Sequence, residues 1–194
     1  MVNSIKKIIV ESIETKRNVL EDELLISQID SIIWLIVDAY KNNKKVFFCG
    51  NGGSAADAQH LAAELSGRFY FDRDPLYAEA LHVNTSYITA VANDYSYDVI
   101  YSRYIKAAGS EGDVLIGLST SGKSKNVLNA FYQAKEKGMK CIGLTGKYHV
   151  EFSNVCDYTI SIPSTITPRI QESHLMIGHI ICEKVEEILF NNNK

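Results

Sequence analysis

Paired cysteines are missing from this chain. Cys49, Cys141, Cys156 and Cys182 stand far apart and form no Cys-x-x-Cys motif. That spacing argues against a thiolate metal ribbon and fits buried, reduced thiols. Proline is scarce, with 3 in 194 residues, and no low-complexity tract occurs, so nothing marks an internal linker. No run approaches the roughly 18 apolar residues of a membrane span. The opening Met-Val-Asn-Ser-Ile-Lys-Lys meets charge too early for a secretory leader. The net charge is only −3, so no global field recruits nucleic acid or an anionic membrane. The expectation is a cytoplasmic protein with neither partner.

What remains is ordinary globular material: 46% hydrophobic and 22% charged residues, enough for one domain with a real core. Residues 4–42 have helical spacing, with Leu20, Leu24, Leu25, Ile29, Ile32, Ile33 and Ile36 recurring at three- and four-residue intervals. Residues 1–43 therefore read as a helical arm of one short and one long helix, with an apolar face suited to a subunit contact. From 44 to 194 the texture changes. Apolar β-rich runs at Lys45–Cys49, Ala80–Val83, Val114–Leu118, Cys141–Leu144 and Tyr158–Ile162 alternate with helical stretches. The helical stretches are Ser54–Leu65, Ser86–Val91, Asp98–Ala108, Ser124–Lys137 and Ile170–Phe190. Short apolar strands separated by helices predict an α/β fold: a three-layer α/β/α sandwich around a parallel sheet of about five strands. Ligands in such folds sit beyond the carboxyl ends of the strands.

Two of those ends carry unusual turns. Gly50-Asn51-Gly52-Gly53-Ser54 lets the backbone approach a ligand closely at a helix start, with Ser54 as the expected N-cap. Its Gly-x-Gly-x-x-Ala spacing suggests a dinucleotide site. However, the next strand region ends in Asn84 rather than the required acid. The second turn, Gly117-Leu-Ser-Thr-Ser-Gly-Lys-Ser124, spells the nucleotide P-loop pattern. Its interior has no glycine, and no apolar strand ending in Asp follows it, which counts against a nucleotide cofactor. Read by its side chains, the turn offers the hydroxyls of Ser119, Thr120, Ser121 and Ser124 at a helix N-terminus. That combination suits a terminal phosphate.

The helix after the first turn carries Asp57, Gln59, His60 and Glu64. His60 and Glu64, four apart, share a face. On the C-terminal helix, Gln171 and His179 lie about 80° apart, while Glu172 and His179 line up more closely. His174 points about 140° from His179, so the two cannot enter one pocket. His82 and His149 have no patterned partner and read as structural or surface residues. A carboxylate and an imidazole beside a sugar phosphate suit aldose–ketose isomerisation, in which a base removes a proton α to a carbonyl and an acid returns one to the neighbouring carbon.

Together the stretches CGNGGSAADAQHLAAELSGRF (49–69), AVANDYSYDVIYSRY (90–104), GDVLIGLSTSGKSKNVL (112–128), LTGK (144–147) and RIQESHLMIGHI (169–180) resemble the sugar isomerase (SIS) fold. Within it they resemble the phosphoheptose isomerases. The resemblance implies conversion of D-sedoheptulose 7-phosphate to D-glycero-D-manno-heptose 7-phosphate, the first step toward bacterial lipopolysaccharide or capsule heptose. It implies that Ser119, Thr120, Ser121 and Ser124 hold the phosphate, and that Asn51, Gly52, Gly53, Asn93, Asp94 and Gln171 line the sugar. Glu64 and His179 would then be the acid/base pair. The resemblance also implies a zinc ion among His60, Glu64, Gln171 and His179, and a homotetramer with sites at subunit contacts. The chain departs from the pattern at Tyr148-His149, where many relatives carry a glycine pair, and at Pro168, where some carry an acid. A rival in the same fold is a non-catalytic DnaA-binding replication regulator lacking the catalytic residues; the presence of both Glu64 and His179 favours the enzyme.

Overall fold

Two helices of 19 residues each, α1 (Val2–Leu20) and α2 (Glu23–Lys41), form the N-terminal arm. They replace the expected short-and-long pair. The Asp22 side chain accepts the Leu25 N–H, capping α2 and dividing the helical run near its middle. The computed structural model describes residues 1–148 and 150–190, so His149 lies outside the described residues. After the arm, strands β1 (Val46–Gly50), β2 (Ala78–Ala80), β3 (Val114–Ser119), β4 (Lys140–Thr145) and β5 (Tyr158–Ser161) alternate with helices. The helices are α3 (Gly53–Ser66), α4 (Thr85–Asp94), α5 (Ile100–Ala108), α6 (Lys125–Glu136), α7 (Val150–Ser153) and α8 (Thr167–Phe190). A 3-10 turn (Tyr97–Val99) leads into α5.

The strands form one parallel sheet in the order β2-β1-β3-β4-β5. Alternating residues of each strand face opposite layers. Phe48, Ile116, Leu118, Ile142 and Leu144 pack with α2, α3 and α8. Phe47, Cys49, Leu115 and Cys141 pack with α5, α6 and α7 on the other side. This is the expected α/β/α sandwich. α2 belongs to its core, since Ile32 and Ile36 are fully buried beneath the sheet.

The expected strands hold at β1, β3, β4 and β5 within a residue or two. The second lies earlier than Ala80–Val83. Ala78-Glu79-Ala80 pairs with β1, whereas Leu81 makes one more bond to Phe48 and the chain then turns. α8 starts three residues before Ile170, because Pro168 fits the first turn of a helix.

Candidate active site

The chain order reverses direction across the sheet between β1 and β3. This is the switch point where open α/β sheets leave a crevice beyond their strand ends. Both unusual turns leave from it, since Gly50 of β1 pairs in register with Leu118 of β3. In the first turn Gly52 has φ +56°, a conformation that favours glycine, and it rather than Ser54 is the N-cap of α3. Ser54 is buried in the first helical turn, with its N–H bonded to the Asn51 carbonyl. The Ser54 expectation fails because the two glycines let the helix cap two residues earlier, at Gly52. The α3 N-terminus therefore has no side-chain cap.

A side-chain bridge fixes the two turns to each other. Asn51 and Asn126 exchange amide hydrogen bonds of 2.9 and 2.8 Å, and the Tyr97 hydroxyl donates to Asn51 Oδ1 at 3.0 Å. Asn126 is itself buried. Both lone pairs of the Asn51 oxygen are thus used, and one Nδ2 hydrogen is left for the crevice. Neither Asn126 nor Tyr97 is legible as a site residue in the sequence, where an Asn on a helix and a Tyr in a loop carry no periodic signal.

At the second turn the hydroxyls converge. Ser119 Oγ lies 2.9 Å from Ser124 Oγ and 3.4 Å from Ser121 Oγ. Ser124 is the N-cap of α6 but makes no side-chain cap bond; the Val127 N–H bonds Asn126 Oδ1 at 3.0 Å, and the Lys125 and Asn126 amides lead the helix ahead of it. Thr120 and Ser121 open onto a cleft of about 270 Å³ that Lys123, Lys147, Ser164 and Thr167 also line. Lys123 is exposed and precedes α6, outside the helical turn.

The third cluster joins α3 to α8. His60 Nε2 lies 3.0 Å from His179 Nε2 and 3.1 Å from Glu64 Oε1. Leu61 and Leu65, on the neighbouring face of α3, are buried in the core and hold the helix against the sheet. Two glycines permit the approach: a Cβ on Gly178 would fall 2.5 Å from Leu61, and one on Gly53 2.5 Å from the Gln171 amide. Gln171 is thereby placed against the glycine turn. The ligand atoms of His60, Glu64 and His179 lie within 4.8 Å of one another, a mixed nitrogen and oxygen set that could hold a metal ion. The Phe69 ring sits 5.8 Å from that of His179. Asp57, one turn earlier on the same face, has a buried carboxylate oxygen without a hydrogen bond, and burial raises its pKa.

Two other candidates, Glu172 and His174, fall elsewhere. Glu172, expected to border the site with His179, faces α1 instead, with bonds from Ser12 at 2.7 Å and Arg169 at 2.6 Å. Burial alone would raise its pKa, but Ser12, Arg169 and Lys16 outweigh that and lower it. His174 is fully buried, with Nε2 3.1 Å from the Thr145 carbonyl, and burial lowers its pKa to about 4. It is a core histidine and does not share a pocket with His179, as its helical angle requires. Asn93 and Asp94 end α4 at the surface, bonded to each other at 2.9 Å.

A family model described as SIS domain matches residues 8–146. The phosphoheptose isomerase of Clostridium acetobutylicum is 53% identical over 190 residues, covering 98% of this chain and 97% of that protein. The chain belongs to the phosphoheptose isomerase family. The isomerase of Aneurinibacillus thermoaerophilus is 49% identical over 99% of the chain and 97% of its own length. Among solved structures, a phosphoheptose isomerase of Neisseria gonorrhoeae superimposes with a TM-score of 0.89 at 37% identity, covering 95% of this chain and 98% of that one. One from Francisella tularensis gives 0.90 at 33% identity, with coverage of 96% and 98%. Family membership therefore rests on nearly the whole chain, including the arm.

Proposed function

We propose that the chain interconverts D-sedoheptulose 7-phosphate and D-glycero-D-manno-heptose 7-phosphate, supplying heptose for a bacterial lipopolysaccharide or capsule. The observation that carries this reading is the meeting of His60, Glu64 and His179 at the same sheet edge as a hydroxyl-rich turn. The substrate phosphate is held by Ser119, Thr120, Ser121 and Ser124 with the first amides of α6. The sugar chain runs along Asn51, Gly52 and Gly53 toward Gln171, with Asn93 and Asp94 at the rim.

Glu64 and His179 divide the proton work. In the ketose-to-aldose direction one takes the proton from C1 while the other protonates the C2 carbonyl oxygen, giving the enediol. Removing the O1 proton and returning one to C2 completes the aldose. Glu64 Oε1 faces His60, which leaves Oε2 for the proton. The residues suited to zinc are His60, Glu64 and His179, with Gln171 as the fourth. When bound, zinc would polarise the substrate oxygens and stabilise the enediol charge. The working unit is a homotetramer in the cytoplasm, using the apolar surface of α1, where Ile5, Ile8, Ile9 and Ile13 are about half exposed. Incubating purified protein with sedoheptulose 7-phosphate should yield the aldose phosphate by NMR. No turnover, with or without zinc, overturns the proposal in favour of a non-catalytic role.

A further inference from the structure

One buried ion pair lies outside the residues assigned to the reaction. Arg73 Nε meets Glu186 Oε2 at 2.8 Å, with side chains only 2% and 1% exposed. Glu186 also accepts the backbone N–H groups of Phe69, Tyr70 and Phe71. Arg73 also donates to the end of α3, bonding the carbonyls of Glu64 at 3.1 Å, Leu65 at 2.9 Å and Gly67 at 3.2 Å, and to the Asp74 carbonyl at 3.0 Å. A guanidinium at a helix C-terminus satisfies carbonyls that have no intrahelical partner and opposes the negative end of the dipole.

These partners are not arbitrary. Glu64 belongs to the His60–Glu64–His179 cluster, and the guanidinium holds its carbonyl directly. Phe69, whose N–H lies 2.8 Å from Glu186 Oε2, presents its ring to His179. Glu186 follows His179 by seven residues, so the two side chains leave the same face of α8 about two turns apart. The pair therefore ties both helices of the cluster to one loop. We infer that Arg73 and Glu186 are positioning residues for the reaction, setting the distance between the α3 carboxylate and imidazole and the α8 imidazole.

This inference deepens the proposed isomerase reading, so its test must separate the two. Glu186→Gln keeps the side-chain shape and removes the charge. None of the bonds made by the pair reaches the phosphate turn, so KM should stay within about twofold. The turnover number should fall about 10- to 100-fold, as misplacement of reacting groups by an ångström can cause. The second readout is independent of activity: the imidazole ¹⁵N resonances of His60 and His179 in EDTA-treated protein should shift in the variant. A folded Glu186→Gln protein with unchanged turnover, or with unshifted histidine resonances, overturns the inference. Should Glu186→Gln not fold, Phe69→Leu is measured in the same two ways. Full turnover or unmoved resonances there overturn it equally. If the native protein lacks isomerase activity, the isomerase reading fails, and the histidine resonances still decide the positioning role.

Discussion

His60 and His179 place their Nε2 atoms 3.0 Å apart although 119 residues separate them in the chain. Glu64 approaches the same His60 nitrogen. All three groups thus converge on one point. With a cation, all three groups can present lone pairs to it. Dialysis against EDTA should therefore lower isomerase activity at least about tenfold, and zinc should restore it. His60→Ala, which removes a ligand, should lower zinc affinity by more than the roughly 10- to 100-fold that losing an outer-shell partner costs. Equal zinc content by mass spectrometry in native and variant protein would remove the cluster as the metal site.

Glu64→Gln keeps the shape and the hydrogen-bonding oxygen while removing the base. Turnover should fall about 10²- to 10⁴-fold, with substrate binding little changed. Near-native turnover in a steady-state assay would reassign the proton transfer.

The hydroxyl turn ranks two neighbours. Ser119 Oγ sits at the centre of the converging hydroxyls, whereas Lys123 is exposed and precedes the helix. Ser119→Ala should raise KM by about tenfold, the loss of one hydrogen bond to a charged group. Lys123→Ala should change it less. The reverse order would restore a nucleotide-type grip to this turn.

Two glycine substitutions separate packing from chemistry. On Gly178 a Cβ meets the buried Leu61 side chain, so Gly178→Ala should cost about 1–3 kcal/mol in urea unfolding. On Gly53 the Cβ meets only the tip of Gln171, which can swing away. Gly53→Ala should leave the unfolding midpoint nearly unchanged and lower activity severalfold. Loss of stability without loss of activity at Gly53 would detach Gln171 from the site.

Much of this arrangement was legible in the sequence because its signals are local. β1, β3 and β4 are apolar runs buried on both faces, and β5 keeps the alternating pattern of a half-buried strand around Ile160. His60 and Glu64 share a helix face by spacing alone. β2 was misplaced because Ala78-Glu79-Ala80 is a short edge strand of small and polar residues, while the more apolar stretch beyond it turns away. α7, at four residues, is too short to show a period. The Arg73–Glu186 pair and the Asn51–Asn126 bridge were invisible for another reason. Each joins residues 75 or more apart, and only the closed sheet brings them together.

The buried His174 predicts a pH dependence of stability apart from the active site. In the folded protein burial holds its pKa at about 4, against 6.5 for a free imidazole. Between those values the unfolded chain binds a proton that the folded chain refuses. The stabilisation is therefore complete above about pH 6.5 and is lost as pH falls toward 4, by roughly 3 kcal/mol over the whole window. Burial lowers the pKa of His82 as well, so it adds to the effect with the same sign. The carboxylates held below their ordinary range, Glu186, Glu172 and Asp157, lose their contributions only at lower pH, below about 4.5. Urea midpoints of metal-free protein should thus fall between pH 7 and pH 5. His174→Gln, which keeps an N–H for the Thr145 carbonyl, should flatten much of that fall. An unchanged slope in the variant would place the proton-linked group elsewhere.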